Sequence, residues 1–257
     1  LRISNTTFSG NTAASQGGAL WTGELGTLTI WNSTFFGNTA AGLNVNDGYG
    51  GGLRIGNSGR VSLNNITVAQ NHAGQLGGGI WGEISNVSLM NSIIANNTAE
   101  NPWGMSENCD RTYSGTNNIQ TVPLGAKDRR CAVGVIIGDP KLGPLAEQQG
   151  AFGQLIPLLT GSPAIDAANN AVCPEVDPRG RFRSFDGNGD GKQQCDMGAY
   201  EYTQFDTVSS INATPYRNAF VIATPTLTWS ELEWATQYQI EVDNNPDFGS
   251  VNYVFDA

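Results

Sequence analysis

Apolar positions in the first hundred residues alternate in short bursts, and the bursts recur. Four segments align without gaps: LRISNTTFSGNTA (1–13), LTIWNSTFFGNTA (28–40), VSLNNITVAQNHA (61–73) and VSLMNSIIANNTA (87–99), at spacings of 27, 33 and 26 residues. Each opens on an alternating pair, Leu1/Ile3, Leu28/Ile30, Val61/Leu63 and Val87/Leu89, which predicts a strand with one buried face. The buried face resumes at Phe8, Phe35, Val68 and Ile94, three residues past Asn5, Asn32, Asn65 and Asn91. A corner is expected at those asparagines, because asparagine tolerates a left-handed backbone. Stacked coil on coil, their amides are expected to face inward as a ladder, with a second ladder at Asn11, Asn38, Asn71 and Asn97.

A glycine signature lies between the segments: Gly17-Gly18-Ala19-Leu20, Gly51-Gly52-Leu53 and Gly78-Gly79-Ile80. It predicts a third short strand, opened where a side chain would crowd a bend. From Gly18, Gly51 and Gly78 to the next segment the chain runs 10, 10 and 9 residues, but from the preceding alanine it runs 5, 11 and 5. The variation is thus confined to the loop at 42–50, as in a solenoid with insertions on one face. Three short strands in a coil of about 27 residues fit a parallel β-helix. Leucine-rich repeats need a denser leucine pattern, and propeller blades need about 40 residues.

Composition supports elongation. With 33 glycines and 14% charged residues the chain suits a narrow core filled coil by coil. A net charge of −10 repels nucleic acid, and disfavours anionic polysaccharides and membranes unless a cation bridges them. No run of 18 apolar residues suggests a transmembrane helix in this fragment. The sequence opens inside a repeat without an initiator Met, so a piece of a longer secreted chain is expected.

The cysteines fall as Cys109 and Cys131, then Cys173 and Cys195. Four cysteines allow three connectivities. Sequential pairing would close two loops of similar size, each worth about 3 kcal/mol. Free thiols are the alternative, and a zinc site is disfavoured because there is no CxxC and His72 is the single histidine. Disulfides would imply an oxidising compartment.

The Phe-x-x-Asn element (Phe8 to Asn11, Phe35 to Asn38) beside Gly-Gly-Ala-Leu or Gly-Gly-Gly-Ile resembles the repeats of chlamydial-type polymorphic outer-membrane proteins, over about residues 1–99. Val68 and Ile94 depart from the phenylalanine of that pattern. The resemblance implies a pectin-lyase-like, right-handed parallel β-helix on a bacterial surface. After Ala99 the repeat is expected to stop, with 100–131 forming a stapled loop beside the solenoid and 133–137 a last strand. The run GDPKLGPL (138–145), GSPAIDA (161–167), DPRGRFR (177–183) and CDMGAYE (195–201) resembles the conserved end of bacterial choice-of-anchor Q proteins. There Asp166, Asp177, Arg179, Arg181, Asp196 and Glu201 are expected to form a polar network over the open end of the core. Thr226-Leu227-Thr228-Trp229 and Tyr238-Gln239-Ile240-Glu241-Val242 resemble the first half of a fibronectin type III-like sandwich, cut short.

Asp186, Asn188 and Asp190 alternate ahead of Gly191, a spacing that suits calcium. Lys192 can add a backbone carbonyl and Asp196 a carboxylate, although position 12 of the full calcium-loop pattern is Met197. The rival reading is a polar turn without metal. Sequons at Asn5, Asn32, Asn65, Asn86, Asn96 and Asn212 are read as structural asparagines rather than glycan acceptors. Enzyme chemistry on this fold would need paired carboxylates on an exposed strand face. No acid recurs at outward positions of the repeats, and Asp166 with Asp177 reads as part of the cap. His72 reads as a solvated turn residue. Trp21 and Trp81 share one position after the glycine pair, with Arg54 between them, and aromatic faces can stack on sugars. Trp31, by contrast, precedes a corner asparagine.

The fold expected is therefore all-β: a parallel β-helix with its cap over 1–202, then a linker and partial β-sandwich over 203–257. The function expected is that of a secreted or cell-surface structural or adhesive protein. Its partners would be surface glycans or other cell-surface proteins, with calcium as the candidate cofactor. A carbohydrate-binding or polysaccharide-degrading protein is the alternative. The irregular parts, namely the 42–50 loop, the cysteine loops and the Asp186 turn, are the expected seats of function.

Overall fold

A computed structural model describes residues 1–42, 47–83, 86–101, 107–122, 129–148, 150–151, 153–203, 211–214, 226–229, 239–242 and 253–256. The chain divides into two compact units, Leu1–Gln204 and Phe205–Ala257.

Among the described residues of the first unit, strands from successive coils stack into four parallel sheets. The first sheet holds Arg2–Ser4, Thr27–Trp31, Arg60–Asn64 and Val87–Met90. The second holds Thr7–Ser9, Thr34–Phe36, Thr67–Ala69 and Ile93–Ala95, continued by Ile119–Gln120 and Ile136–Ile137. Thr12–Ala13, Thr39–Ala40, His72–Ala73 and Thr98–Ala99 make the third, and Leu20–Thr22, Leu53–Ile55 and Ile80–Gly82 the fourth. Each of the first three coils therefore has four strands rather than the three expected. The additional strand is two residues long, too short to carry an alternation that a sequence pattern could reveal.

Register follows the sequence alignment residue by residue. Phe8 pairs with Phe35, Phe35 with Val68 and Val68 with Ile94. The Phe8 and Phe35 rings stack with centroids 5.0 Å apart. Inward residues of the first, second and fourth sheets fill one continuous core. The glycine signature has a steric cause: a Cβ at Gly51 would lie 2.4 Å from the carbonyl oxygens of both Gly78 and His72. Any larger residue would push neighbouring coils apart.

Asn5, Asn32, Asn65 and Asn91 all adopt the left-handed corner, with φ between 47° and 50°. Asn117, 26 residues after Asn91, adopts it too, at 55°. It marks a further coil. Ile119 pairs with Ile93, Ile136 pairs with Ile119, and Cys109 and Tyr113 bridge to Ile80 and Ala132. The expectation that the repeat ends at Ala99 is thus corrected: stacking continues through a degenerate coil whose inward apolar residue is replaced by Gln120. Its Oε1 accepts the Cys131 N–H at 2.7 Å. Both sequential disulfides form, Cys109–Cys131 and Cys173–Cys195. The first lies inside the core rather than in a loop beside it, because both its cysteines are fully buried there.

The inner asparagine ladder runs unbroken, whereas the corner ladder is reduced to one described link, Asn91 Nδ2 to Asn65 Oδ1 at 3.3 Å. Asn11, Asn38, Asn71, Asn97 and Asn108 pass Nδ2–H to Oδ1 in a row, at 2.9, 2.8, 2.8 and 2.9 Å. The corner asparagines behave differently. A left-handed backbone turns their side chains away from the core. Asn32 Nδ2 donates to Val176 O at 2.7 Å, Asn65 Nδ2 to Asp196 O at 3.0 Å, and Asn117 Nδ2 to Ala167 O at 3.0 Å. Asn91 Oδ1 accepts from Asn169 N at 2.8 Å.

Those partners show where 138–202 goes. It lies along the outside of the second sheet instead of over the open end. Ala69, Ile93, Ala95 and Ile119, on the outer face of that sheet, form a second apolar cluster with Ile156, Leu158, Ala164, Ile165, Ala168 and Met197. The cause is legible in the strands. Thr34–Phe36 and Ile93–Ala95 are apolar on both faces, so the sheet has to be covered on both sides.

In the second unit, Ile211–Thr214 pairs antiparallel with Thr226–Trp229, and Gln239–Val242 with Tyr253–Asp256. Tyr238 and the linker residues 204–210 lie outside the described residues.

Candidate functional site

The residues expected to meet glycans come together on the fourth sheet. Trp21, Arg54 and Trp81 share one register position, the middle residue of three paired strands. Leu53 and Ile55 point into the core, so alternation turns Arg54 and its two neighbours outward. The Arg54 guanidinium lies 5.4 Å from the Trp21 ring centroid and 4.8 Å from that of Trp81. Its Nη2 donates to Glu83 Oε1 at 2.6 Å. Tyr49 stacks on Trp81 with centroids 5.1 Å apart. Trp21 stays 61% exposed.

Cation–π contacts of this kind are worth about 0.5–1 kcal/mol each. The ion pair adds little stability, because the Glu83 side chain is 40% exposed. What the arrangement does is fix geometry. Arg54 is held between two indoles with its charge answered by Glu83, leaving the Trp21 indole as an uncharged platform open to solvent. Glu83 and Tyr49 join the group from outside the residues that the repeat alignment picks out. Glu83 was findable, since it lies two residues beyond Trp81 and so on the same face of an extended chain. Trp31 does not join them; it aligns with Ser4 and Asn64 on the first sheet.

The candidate calcium residues divide into two groups. Asp186 Oδ1 accepts the N–H of Gly189 at 2.7 Å and Asp190 at 3.1 Å, and its Oδ2 accepts Gly191 N–H at 2.7 Å. Asn188 Oδ1 accepts from Asp190 N, Asp190 Oδ1 accepts from Lys192 N, and the Lys192 ammonium lies 3.4 Å from Asp190 Oδ2. Asp166 joins this turn by accepting the N–H of Gly187 and of Asn188. Burial raises the Asp166 pKa, those two amides lower it, and Asp186 and Asp190 raise it again. Asp196 is buried beneath, where it accepts the N–H of Asp166 at 2.8 Å and of Tyr202. Among the described residues no group of three or more His, Cys, Asp or Glu side chains is arranged to hold a metal.

The polar network expected over the open end instead fastens the lateral segment. Arg183, fully buried, donates to Asn32 Oδ1 at 2.8 Å, to the carbonyls of Gly198 and Ala199, and to Glu201 Oε2 at 3.3 Å. Arg179 pairs with Asp177 at 2.7 Å and lies over the Tyr200 ring. Asp177 accepts the Arg181 backbone N–H at 3.1 Å, so Arg181 enters through its main chain. Asp166 and Asp177 do not pair: one holds the Asp186 turn, the other Arg179. Burial first, then mutual repulsion, pushes Glu201 up to about 10, and burial pushes Asp196 up to about 7. Glu201 Oε1 has no hydrogen-bond partner. His72 sits half-buried on the third sheet, with Nδ1 3.0 Å from Thr98 Oγ1 and Nε2 4.0 Å from Glu100.

Among the described residues no helix is long and apolar enough to cross a membrane. Comparison with curated proteins and with solved structures returned no match. Residues 5–23, which run from the first corner asparagine to just past the Trp21 strand, match the Chlamydia polymorphic membrane protein repeat. The stacked parallel sheets are consistent with a β-helix built on that type of repeat.

Proposed function

We propose that this chain is part of a secreted or cell-surface β-helix with a structural and adhesive role, meeting neutral surface glycans through the Trp21–Arg54–Trp81 face. The observation that carries the reading is Trp21: an indole open to solvent, held over a guanidinium whose charge is already paired. A flat apolar ring with a polar edge suits the C–H face of a pyranose. The net charge of −10 favours neutral glycans over acidic ones. The polymorphic membrane protein repeat supports a surface location, and the two disulfides support an oxidising one. In the same reading, a choice-of-anchor Q-type segment at 138–202 braces the rod, and 205–257 begins a fibronectin type III-like module.

The test is a glycan array probed with the wild-type chain, Trp21→Ala and Arg54→Ala. Retention on neutral glycans that both substitutions abolish supports the reading. Equal retention by all three proteins rejects it. Release of reducing ends or unsaturated sugars on incubation with polysaccharides would replace adhesion with catalysis.

A further inference from the structure

Gln70 holds a backbone conformation that its counterparts in two other coils assign to glycine. Its φ is +55°, and the equivalent residues of the first, second and fourth coils are Gly10, Gly37 and Asn96, at +64°, +62° and +54°. Glycine enters that region freely and asparagine readily, whereas glutamine has a steric cost to meet. A strained residue kept at one position of a repeat points to work for its side chain.

The surroundings of Gln70 indicate what that work is. A cleft of about 80 Å³ lies between the corner after the second sheet and the lateral segment, lined by Gln70, Asn96, Phe36, Asp139 and Ile156. Asp139 Oδ1 accepts the Lys141 N–H at 2.8 Å, which fixes the carboxylate and leaves Oδ2 available. The lining thus brings together Gln70 and Asn96, whose carboxamides each carry donors and an acceptor, the Asp139 carboxylate and the Phe36 ring. Vicinal hydroxyls need both donors and acceptors, and the ring supplies an apolar wall for C–H groups.

We propose that this cleft binds the edge of a single neutral pyranose through two neighbouring hydroxyls. Its volume is well below the roughly 300 Å³ of a pocket that encloses a ligand, so it takes a ring edge or chain end rather than a buried oligosaccharide. Affinity near 1 mM is the expected order for so few contacts. The Asp139 carboxylate and the net negative charge disfavour acidic sugars. The site lies on other strands than Trp21 and stands independently of the adhesive face.

The experiment is a titration of the isotope-labelled chain with neutral methyl glycosides, following the side-chain carboxamide signals of Gln70 and Asn96. Saturable shifts are expected with at least one sugar. Gln70→Gly is expected to weaken binding about tenfold, the loss of one or two hydrogen bonds, while the melting temperature holds or rises because glycine relieves the strain. Asp139→Asn is expected to weaken binding with the fold intact, and Trp21→Ala to leave it unchanged. No saturable shift with any sugar overturns the proposal. So does unchanged binding in Gln70→Gly, a lower melting temperature in that variant, which would make Gln70 a packing residue, or loss of the shifts in Trp21→Ala.

Discussion

The guanidinium of Arg183 donates to Oδ1 of Asn32 at 2.8 Å, tying together residues 151 apart in sequence. Asn32 is a corner of the second coil, and Arg183 belongs to the segment that runs along the outside of the solenoid. The same guanidinium holds Gly198, Ala199 and Glu201, so one buried cation fastens that segment both to itself and to the coils.

Removing that cation should be costly. Arg183→Ala leaves the Asn32 Oδ1 and the Gly198 and Ala199 carbonyls without that donor in a dry site, at about 1–3 kcal/mol for each buried group orphaned. Urea unfolding should show it as a lower midpoint. A variant within 0.5 kcal/mol of wild type would mean that the contact is dispensable.

Stability should fall as pH rises. Glu201 and Asp196 have folded pKa values above their ordinary 4.5 and 3.8, so the folded chain binds more protons than the unfolded one in between. Their stabilisation is complete below those ordinary values and is lost upward, through about 7 for Asp196 and about 10 for Glu201. The charges facing them are Arg183, Asp177 and Asp166. Melting temperature is expected to drop between pH 5 and pH 9 at constant salt, and to drop less in Glu201→Gln, whose amide imitates the protonated acid. Equal slopes in the two proteins would refute this assignment.

The inner asparagine ladder should be most sensitive at its middle. Asn71 Oδ1 accepts both the backbone and side-chain N–H of Asn38, while its Nδ2 donates to Asn97 Oδ1 and to the Phe35 and Ala69 carbonyls. Asn71→Ala orphans several buried groups, each costing about 1–3 kcal/mol. Asn11, at the exposed end, orphans fewer, and Asn11→Ala should cost less than half as much in calorimetry. Equal costs would contradict a ladder that gains strength from stacking.

Calcium at the Asp186 turn has a direct test. A cation bound by Asp186, Asn188 and Asp190 would raise the melting temperature, EGTA would reverse the rise, and Asp190→Ala would abolish it. In the structure Asp186 gives its carboxylate to three backbone amides, so calcium would have to displace them. No shift in wild type would leave residues 186–192 as a polar turn without metal.

Much of the coil architecture can be read from residue types, because the same apolar positions and asparagines return in register. Phe8 over Phe35 and the Asn11–Asn38–Asn71–Asn97 row are examples. The fifth coil escapes the pattern because Gln120 and Cys109 replace its apolar residues, although Asn117 keeps the 26-residue spacing. The lateral brace reads as an end cap from sequence because its polar residues signal coverage without signalling what is covered. The continuous apolar run of Ile93–Ala95 held that information: a strand apolar on both faces needs a layer outside it. Trp21, Arg54 and Trp81 could be aligned from the glycine pairs, but the Glu83 pairing depends on side-chain geometry that no spacing encodes.

The central structural claim is that 138–202 covers the side of the second sheet. The Gly198 backbone lies against the δ-methyl of Ile93, close enough that an added Cβ would come within 2.6 Å of it. A methyl-labelled sample should therefore show a nuclear Overhauser contact between Ile93 Cδ1 protons and the Gly198 Cα protons, together with one between Thr67 and the Ala199 amide. Contacts from residues 196–201 to Val133 and Ile136 in place of these would put the segment over the end of the solenoid and contradict the account.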